Sequence, residues 1–425
     1  MLIYTVCSLL AYLLSRMEHY ALSGFVLILA ALYLYIKEYR YSKSLVNLRG
    51  VFALAFIGGE GLAAMKLSHL AKPWGDSTWI CLALAFGCFY IVFEILKVVK
   101  GNPYLNGERV LERSNEDMMY ACIIILALTS LTAFNIEAIV LGFIPLFEKG
   151  VPHAYSYFHI SGVHYFTVSC ILVPAFSIVY LNEESRLGII KVIFLVLANI
   201  IAMMIPILCV SRFQFIFAVL LAFVTLLILK RERIRPVYFV SVVVFIVPVY
   251  LLLSVARSHN VEYLNGIFEM KYNLPIFISQ PYIYIANNYD NLDTLIKELP
   301  KHSFGLKGLF PLWALTGIKF IYPKIVDFPI FVNKTELTTV TLFYDAFYDF
   351  GIAGVAVFST GLGCIGYFFE KMIRSTRHAT FYIIYAQVFI YLALSFFTTW
   401  FSNPATWFYF IVTLSIFFIC EQKGR

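Results

Sequence analysis

The side chains best suited to chemistry are two arginines and a histidine. Arg212 stands in Val210-Ser-Arg-Phe213 and Arg257 in Ala256-Arg-Ser-His259, each at the edge of an apolar run. A guanidinium keeps its charge at any ordinary pH and presents a planar fork of donors that matches two phosphate oxygens. At that depth it either grips a phosphate of a lipid headgroup-like ligand or snorkels toward bulk headgroups. His302, in Lys301-His-Ser-Phe-Gly305, is the best general base by residue type, since a neutral imidazole can take a hydroxyl proton near neutral pH. Asp290, Asp293 and Glu336 are rival bases. The stretch Tyr282-Ile-Tyr-Ile-Ala-Asn-Asn-Tyr-Asp-Asn-Leu-Asp293 mixes the rings of Tyr282, Tyr284 and Tyr289 with amides and carboxylates. Such a mixture binds sugars, rings against pyranose faces and polar groups against hydroxyls; it also suits an interfacial helix with aromatic anchors. Asp349, in Tyr344-Asp-Ala-Phe-Tyr-Asp-Phe-Gly351, and Glu60 and Glu137 are ionisable groups in or near apolar runs. Each is a functional candidate at such depth, or a cap or ion-pair partner.

Other chemistries lack their signatures. There is no H-E-x-x-H, no zinc spacing, no G-x-S-x-G and no Walker loop, and His159 and His164 are five apart, off a shared helical face. The expectation is a protein without metal or cofactor. Gly361-Leu-Gly363-Cys-Ile-Gly366 fits a dinucleotide fingerprint, but it lies in an apolar run with no preceding strand. It reads instead as close helix packing through small residues. The eight cysteines, Cys7, Cys81, Cys88, Cys122, Cys170, Cys209, Cys364 and Cys420, form no C-x-x-C pair and read as small buried hydrophobes.

The elements that must position these groups are membrane helices. Of 425 residues, 61% are hydrophobic and 13% charged, against about half and about a quarter in soluble chains. A spanning helix needs about 20 mostly apolar residues. About twelve candidates follow: 1–15, 20–36, 51–69, 78–99, 118–141, 160–181, 187–209, 213–229, 236–255, 341–369, 379–400 and 404–420. The first is read as a retained helix, not a cleaved signal. With both termini in the cytoplasm, the short loops carry 19 Lys and Arg inside and 5 outside, the bias expected of cytoplasmic loops. The net charge of +7 therefore reports topology, and nucleic acid is not an expected partner. Between the ninth and tenth helices, residues 256–340 form a large outer, periplasmic segment, too aromatic for disorder and expected to hold short amphipathic helices on the membrane surface. The fold class is all-α polytopic, one membrane domain over 1–425.

Three segments carry a resemblance: Gly142-Phe-Ile-Pro-Leu-Phe147, Ser211-Arg212, and Thr338-Thr-Val-Thr-Leu-Phe-Tyr-Asp-Ala-Phe-Tyr-Asp-Phe-Gly-Ile-Ala-Gly354. With the whole-chain architecture, they resemble the Wzy-type O-antigen and oligosaccharide repeat-unit polymerases. The resemblance implies a membrane glycosyltransferase fold of the GT-C-like kind, in the bacterial inner membrane. It implies undecaprenyl-diphosphate-linked glycans as substrates, membrane lipid as surroundings and a chain-length regulator protein as partner. Arg212 matches the family's diphosphate-engaging arginines most directly; Arg257 and His302 match by location, and the catalytic base stays open. An O-antigen ligase of the same fold and a lipid-linked oligosaccharide flippase are the competing readings. A flippase usually has short loops and internal pseudo-symmetry, which the 85-residue segment and the lack of a repeat disfavour.

Overall fold

A computed structural model describes residues 1–104, 114–148, 154–183, 188–230, 261–376 and 378–421, with part of 237–250. Arg257 and much of the expected 236–255 span lie outside the described residues. The principal helices are α1 (Leu2–Arg16), α2 (Tyr20–Ser42), α3 (Leu48–Phe52), α4 (Gly58–Ala64), α5 (Asp76–Lys100), α6 (Glu116–Leu141), α7 (Val163–Glu183), α8 (Ile189–Leu208), α9 (Arg212–Leu229), α10 (Ile276–Glu298), α11 (Tyr344–Ser375), α12 (Phe381–Ala393) and α13 (Pro404–Glu421). Eight of them, α2, α5, α6, α7, α8, α9, α11 and α13, are long and apolar enough to cross a membrane. The chain is an all-α, multi-pass membrane protein.

Local signals set the helix ends. Asn115 caps α6, its Oδ1 accepting from the Met118 amide at 3.2 Å, and Glu116 and Asp117 occupy the positive first turn. The helix stops at Gly142, whose φ of 76° suits a residue without a Cβ. Lys97 and Lys100 close α5 where cations complement the helix dipole. The expected 51–69 span is broken into α3, a π-helical turn over Ala53–Ile57, and α4. The expected 379–400 span is helical only to Ala393.

Contacts divide the chain into two compact units. The first comprises Met1–Gly107, Asn260–Arg374 and Tyr391–Pro404. Its core is an aromatic cluster in which the Phe52 ring lies 5.3 Å from Phe56, 4.6 Å from Phe89 and 6.1 Å from Phe343. Small residues let helices meet in it. A Cβ on Gly61 would stand 2.8 Å from the Gly24 carbonyl, and one on Gly363 would stand 2.6 Å from the Phe89 carbonyl. The Gly361–Gly366 motif therefore packs α11 on α5, as its apolar context predicts.

The 256–340 segment is the largest departure from expectation. It holds short helices at Val261–Phe268, Phe310–Leu315 and Ile318–Ile321, but also α10, with 23 residues. The amphipathic surface pattern expected there does not describe α10, because its polar face is buried. Asn288 Nδ2 donates to the Phe396 carbonyl at 2.6 Å, and Asn291 Nδ2 to the Leu337 and Thr339 carbonyls at 2.8 Å each. These amides satisfy irregular backbone that has no helical partner of its own.

The second unit comprises Glu108–His259, Ser375–Ile390 and Ala405–Arg425. Polar pairs tie its helices: Ser130 Oγ to Ser169 Oγ at 3.2 Å, Asn199 Nδ2 to Ser177 Oγ at 2.8 Å, and Gln387 Nε2 to Thr413 Oγ1 at 2.8 Å. Such bonds add to van der Waals packing where the hydrophobic effect between helices is weak.

Candidate functional site

In the first unit, the sequence Asp349-Phe350-Gly351 breaks α11. Phe350 takes φ −140° and ψ 18°, and Gly351 takes φ 61° and ψ −145°, a conformation open to glycine. The break frees carbonyls, and the 302–308 loop docks on them. Ser303 N donates to the Tyr348 carbonyl at 3.2 Å and Phe304 N to the Asp349 carbonyl at 3.1 Å. The Asp349 carboxylate completes the dock, accepting from Gly308 N at 2.8 Å, Lys307 N at 3.1 Å and the Ser303 hydroxyl. Asp349 thus shapes the loop that carries His302.

His302 is half-buried. Its Nδ1 lies 3.2 Å from the Tyr348 carbonyl, so Nδ1 carries the proton and Nε2 is the basic nitrogen. The ring rests against Gly351, where a Cβ would stand 3.1 Å from Cε1. Lys307 joins the site: its Nζ is 3.7 Å from Asp345 Oδ1 and 4.3 Å from the Tyr348 ring centroid. Asp345 is buried and also hydrogen-bonded by the Thr399 and Ser402 hydroxyls. Sequence reasoning missed Lys307. The signal was its place between Gly305 and Gly308, in a loop that must turn tightly.

Four other nominated residues serve the packing of α10. Asp290 Oδ1 accepts from Lys66 Nζ at 2.5 Å and Trp74 Nε1 at 2.6 Å, and the Lys66 ammonium lies 3.9 Å over the Trp74 ring. Burial pushes the Asp290 carboxyl above the usual carboxylate range, against the pull of Lys66. Asp293 caps α5, its Oδ1 accepting from the Thr78 hydroxyl at 2.6 Å and Gly75 N at 3.0 Å, while Oδ2 meets Lys297 Nζ at 2.5 Å. The Tyr282 hydroxyl accepts from Leu67 N at 2.8 Å. The Tyr289 hydroxyl donates to the Phe56 carbonyl at 2.6 Å, inside the π-turn, over a Gly59 that leaves room for it. All four are buried, and neither aspartate is open to a substrate hydroxyl. Tyr284 is half-buried and Glu336 exposed, the latter accepting from the Thr335 hydroxyl at 3.1 Å.

In the second unit, Arg212 opens α9. It is buried, and its guanidinium carbon lies 5.2 Å from the Tyr250 ring centroid. Two residues before it, Val210 has φ 52°. A β-branched residue in the left-handed region is strained, by about 1–3 kcal/mol. The strained turn is held by packing: Val210 and Phe215 form a buried pair against Leu146. Leu146 belongs to the Gly142–Phe147 segment, which therefore packs on the residues that flank Ser211-Arg212.

The same unit holds a pairing that no spacing in the sequence announced. Glu137 of α6 is fully buried; its carboxylate accepts from Ile160 N at 2.8 Å and the Thr167 hydroxyl at 2.7 Å, and lies 3.1 Å from His164 Nδ1. Among the described residues, no group of three or more His, Cys, Asp or Glu side chains is arranged to hold a metal ion. No protein-family model, no curated protein and no solved structure matches the chain.

Proposed function

We propose that the protein is a membrane-embedded glycosyltransferase that joins lipid-diphosphate-linked glycan units at the outer face of a bacterial inner membrane. The observation that carries this reading is the Arg212 turn. A guanidinium at the end of an apolar helix is retained behind a strained valine, and the packing of the Gly142–Phe147 segment fixes the turn. Strain of that kind persists where surrounding structure over-determines it, and it clusters at ligand clamps.

In the reaction, a hydroxyl of the incoming unit attacks C1 of the growing chain. The new C1–O bond forms as the C1–O bond to diphosphate breaks, and the electron pair leaves with the diphosphate. Arg212 meets the charge that develops on the leaving group. The hydroxyl proton passes to a protein base as the new bond forms. The diphosphate is already an activated leaving group, so nothing in this scheme calls for ATP or a nucleotide sugar.

The test is elongation by purified protein in liposomes supplied with lipid-diphosphate-linked repeat units, resolved as ladders on a gel. Arg212→Ala is expected to lower kcat by roughly 10²–10³-fold, the usual effect of removing one donor to a developing oxyanion. Full-length ladders from Arg212→Ala at wild-type rate would remove the basis for the proposal. Lipid movement across the bilayer with no glycan growth would identify a flippase.

A further inference from the structure

We infer that His164, oriented by Glu137, is the general base of this transfer, in place of His302. The inference rests on the glycosyl-transfer reading and names the proton acceptor within it. Both histidines have Nδ1 tied to an acceptor and Nε2 as the basic nitrogen, but the acceptors differ. His302 faces a neutral carbonyl, that of Tyr348 at 3.2 Å. His164 faces both oxygens of a carboxylate, at 3.1 and 3.2 Å from Glu137. When Nε2 takes a proton, the resulting imidazolium is stabilised far more by a buried anion than by a backbone dipole.

Glu137 is also fixed in place. The amide of Ile160 and the hydroxyl of Thr167 hold one oxygen each, at 2.8 and 2.7 Å, so the carboxylate is pinned while His164 keeps 29% of its side-chain surface exposed. The ring can therefore meet a ligand while its partner cannot turn away. An open, largely apolar groove of about 730 Å³ runs past the residues next to the pair, and neither Glu137 nor His164 lines it. Its walls include Ile136, next to Glu137 on α6, and Ser161, Val163 and Phe166, within three residues of His164.

Arg212 belongs to the same unit. Leu146, which packs against the Arg212 turn, follows the helix that carries Glu137. The phosphate-binding and proton-accepting groups thus belong to one compact unit. In the step, the acceptor hydroxyl gives its proton to His164 Nε2 as its oxygen bonds to C1. Diphosphate leaves with the electron pair of the broken bond. Glu137 is a positioning residue, and stays ionised throughout.

The experiment compares four variants in the liposome elongation assay. His164→Asn is expected to lower kcat by about 10²–10⁴-fold, the range for loss of a general base, with KM within about threefold. His164→Gly is expected to regain activity with added imidazole, which a histidine needed only for folding would not show. Glu137→Gln is expected to lower kcat by up to about 10⁴-fold with little change in KM, as loss of the carboxylate that orients a catalytic histidine does. An active wild type with His164→Asn equally active, or with imidazole rescue seen only at His302→Gly, overturns the assignment and leaves the transfer reading standing. A wild type that never lengthens glycan brings down both.

Discussion

Removing one partner of the Lys66–Asp290 pair should destabilise the first unit strongly, whereas removing both should not. The two groups are 2.5 Å apart with side-chain exposures of 2% and 5%. Burial pushes the Asp290 carboxyl up and the Lys66 ammonium down, each toward its neutral form. Those directions belong to a pair whose desolvation exceeds its mutual attraction. A lone survivor is worse off still: breaking a buried pair costs about 3–5 kcal/mol, while replacing both partners with apolar groups of similar volume is neutral or stabilising. Lys66→Met and Asp290→Leu should therefore each lose about 3–5 kcal/mol, and the double variant about 1–3 kcal/mol, the cost of the buried Trp74 N–H left without its acceptor, in a double-mutant cycle. The assay is unfolding in mixed micelles, followed by tryptophan fluorescence, since Trp74 stands over the pair.

The pH dependence contributed by the Asp290 carboxyl has a definite sign. A carboxyl whose folded value lies above its unfolded one binds its proton more tightly when folded. Its contribution to stability is greatest in acid and declines as pH rises through the raised value. With Lys66 gone the effect on Asp290 grows, so Lys66→Met should lose less stability at about pH 5 than at about pH 8. Single variants within about 1 kcal/mol of wild type, or a double variant as damaged as the sum of the two, would refute the reasoning.

Two further outcomes test other parts of the fold. Asp349→Ala removes an acceptor shared by Ser303, Lys307 and Gly308. Bonds to a charged acceptor are worth about 1.5–3 kcal/mol each and are not additive, so the 302–308 amides should exchange hydrogen about 10²-fold faster or more; unchanged protection would show that the loop is held elsewhere. The thiols of Cys122 and Cys420 are within hydrogen-bonding reach of each other. A thiol oxidant should link them, holding together fragments cut between α6 and α13; fragments that separate on a non-reducing gel would contradict that contact.

Much of the scaffold was legible because lipid imposes a length and a composition. Apolar runs of about 20 residues have to be helices, since no water satisfies their backbone. So α2, α5, α6, α8, α9 and α13 stand close to where the sequence puts them. In the structure, Asn115 and Ser211 cap α6 and α9 through contacts three residues along the chain. The breaks were less visible. The π-turn over Ala53–Ile57 lies in a run as apolar as its neighbours, and what occupies its Phe56 carbonyl is a hydroxyl 233 residues away, that of Tyr289.

The candidate site divides the same way. Composition selects which side chains are able to act, so the sequence determined that Arg212, His302 and Asp349 are unusual where they stand, and that the Gly361–Gly366 motif packs helices. Partnership is a property of the folded chain. Asp290 and Asp293 look like sugar-reading carboxylates along the sequence, yet Lys66, Trp74, Thr78 and Gly75 consume them. Glu137 and His164 look like isolated oddities 27 residues apart, and they become an oriented pair only when α7 packs on α6. Desolvation makes an unpaired polar group expensive, so each of these groups takes the partner that the tertiary structure brings to it, and no spacing along the chain records which one that is.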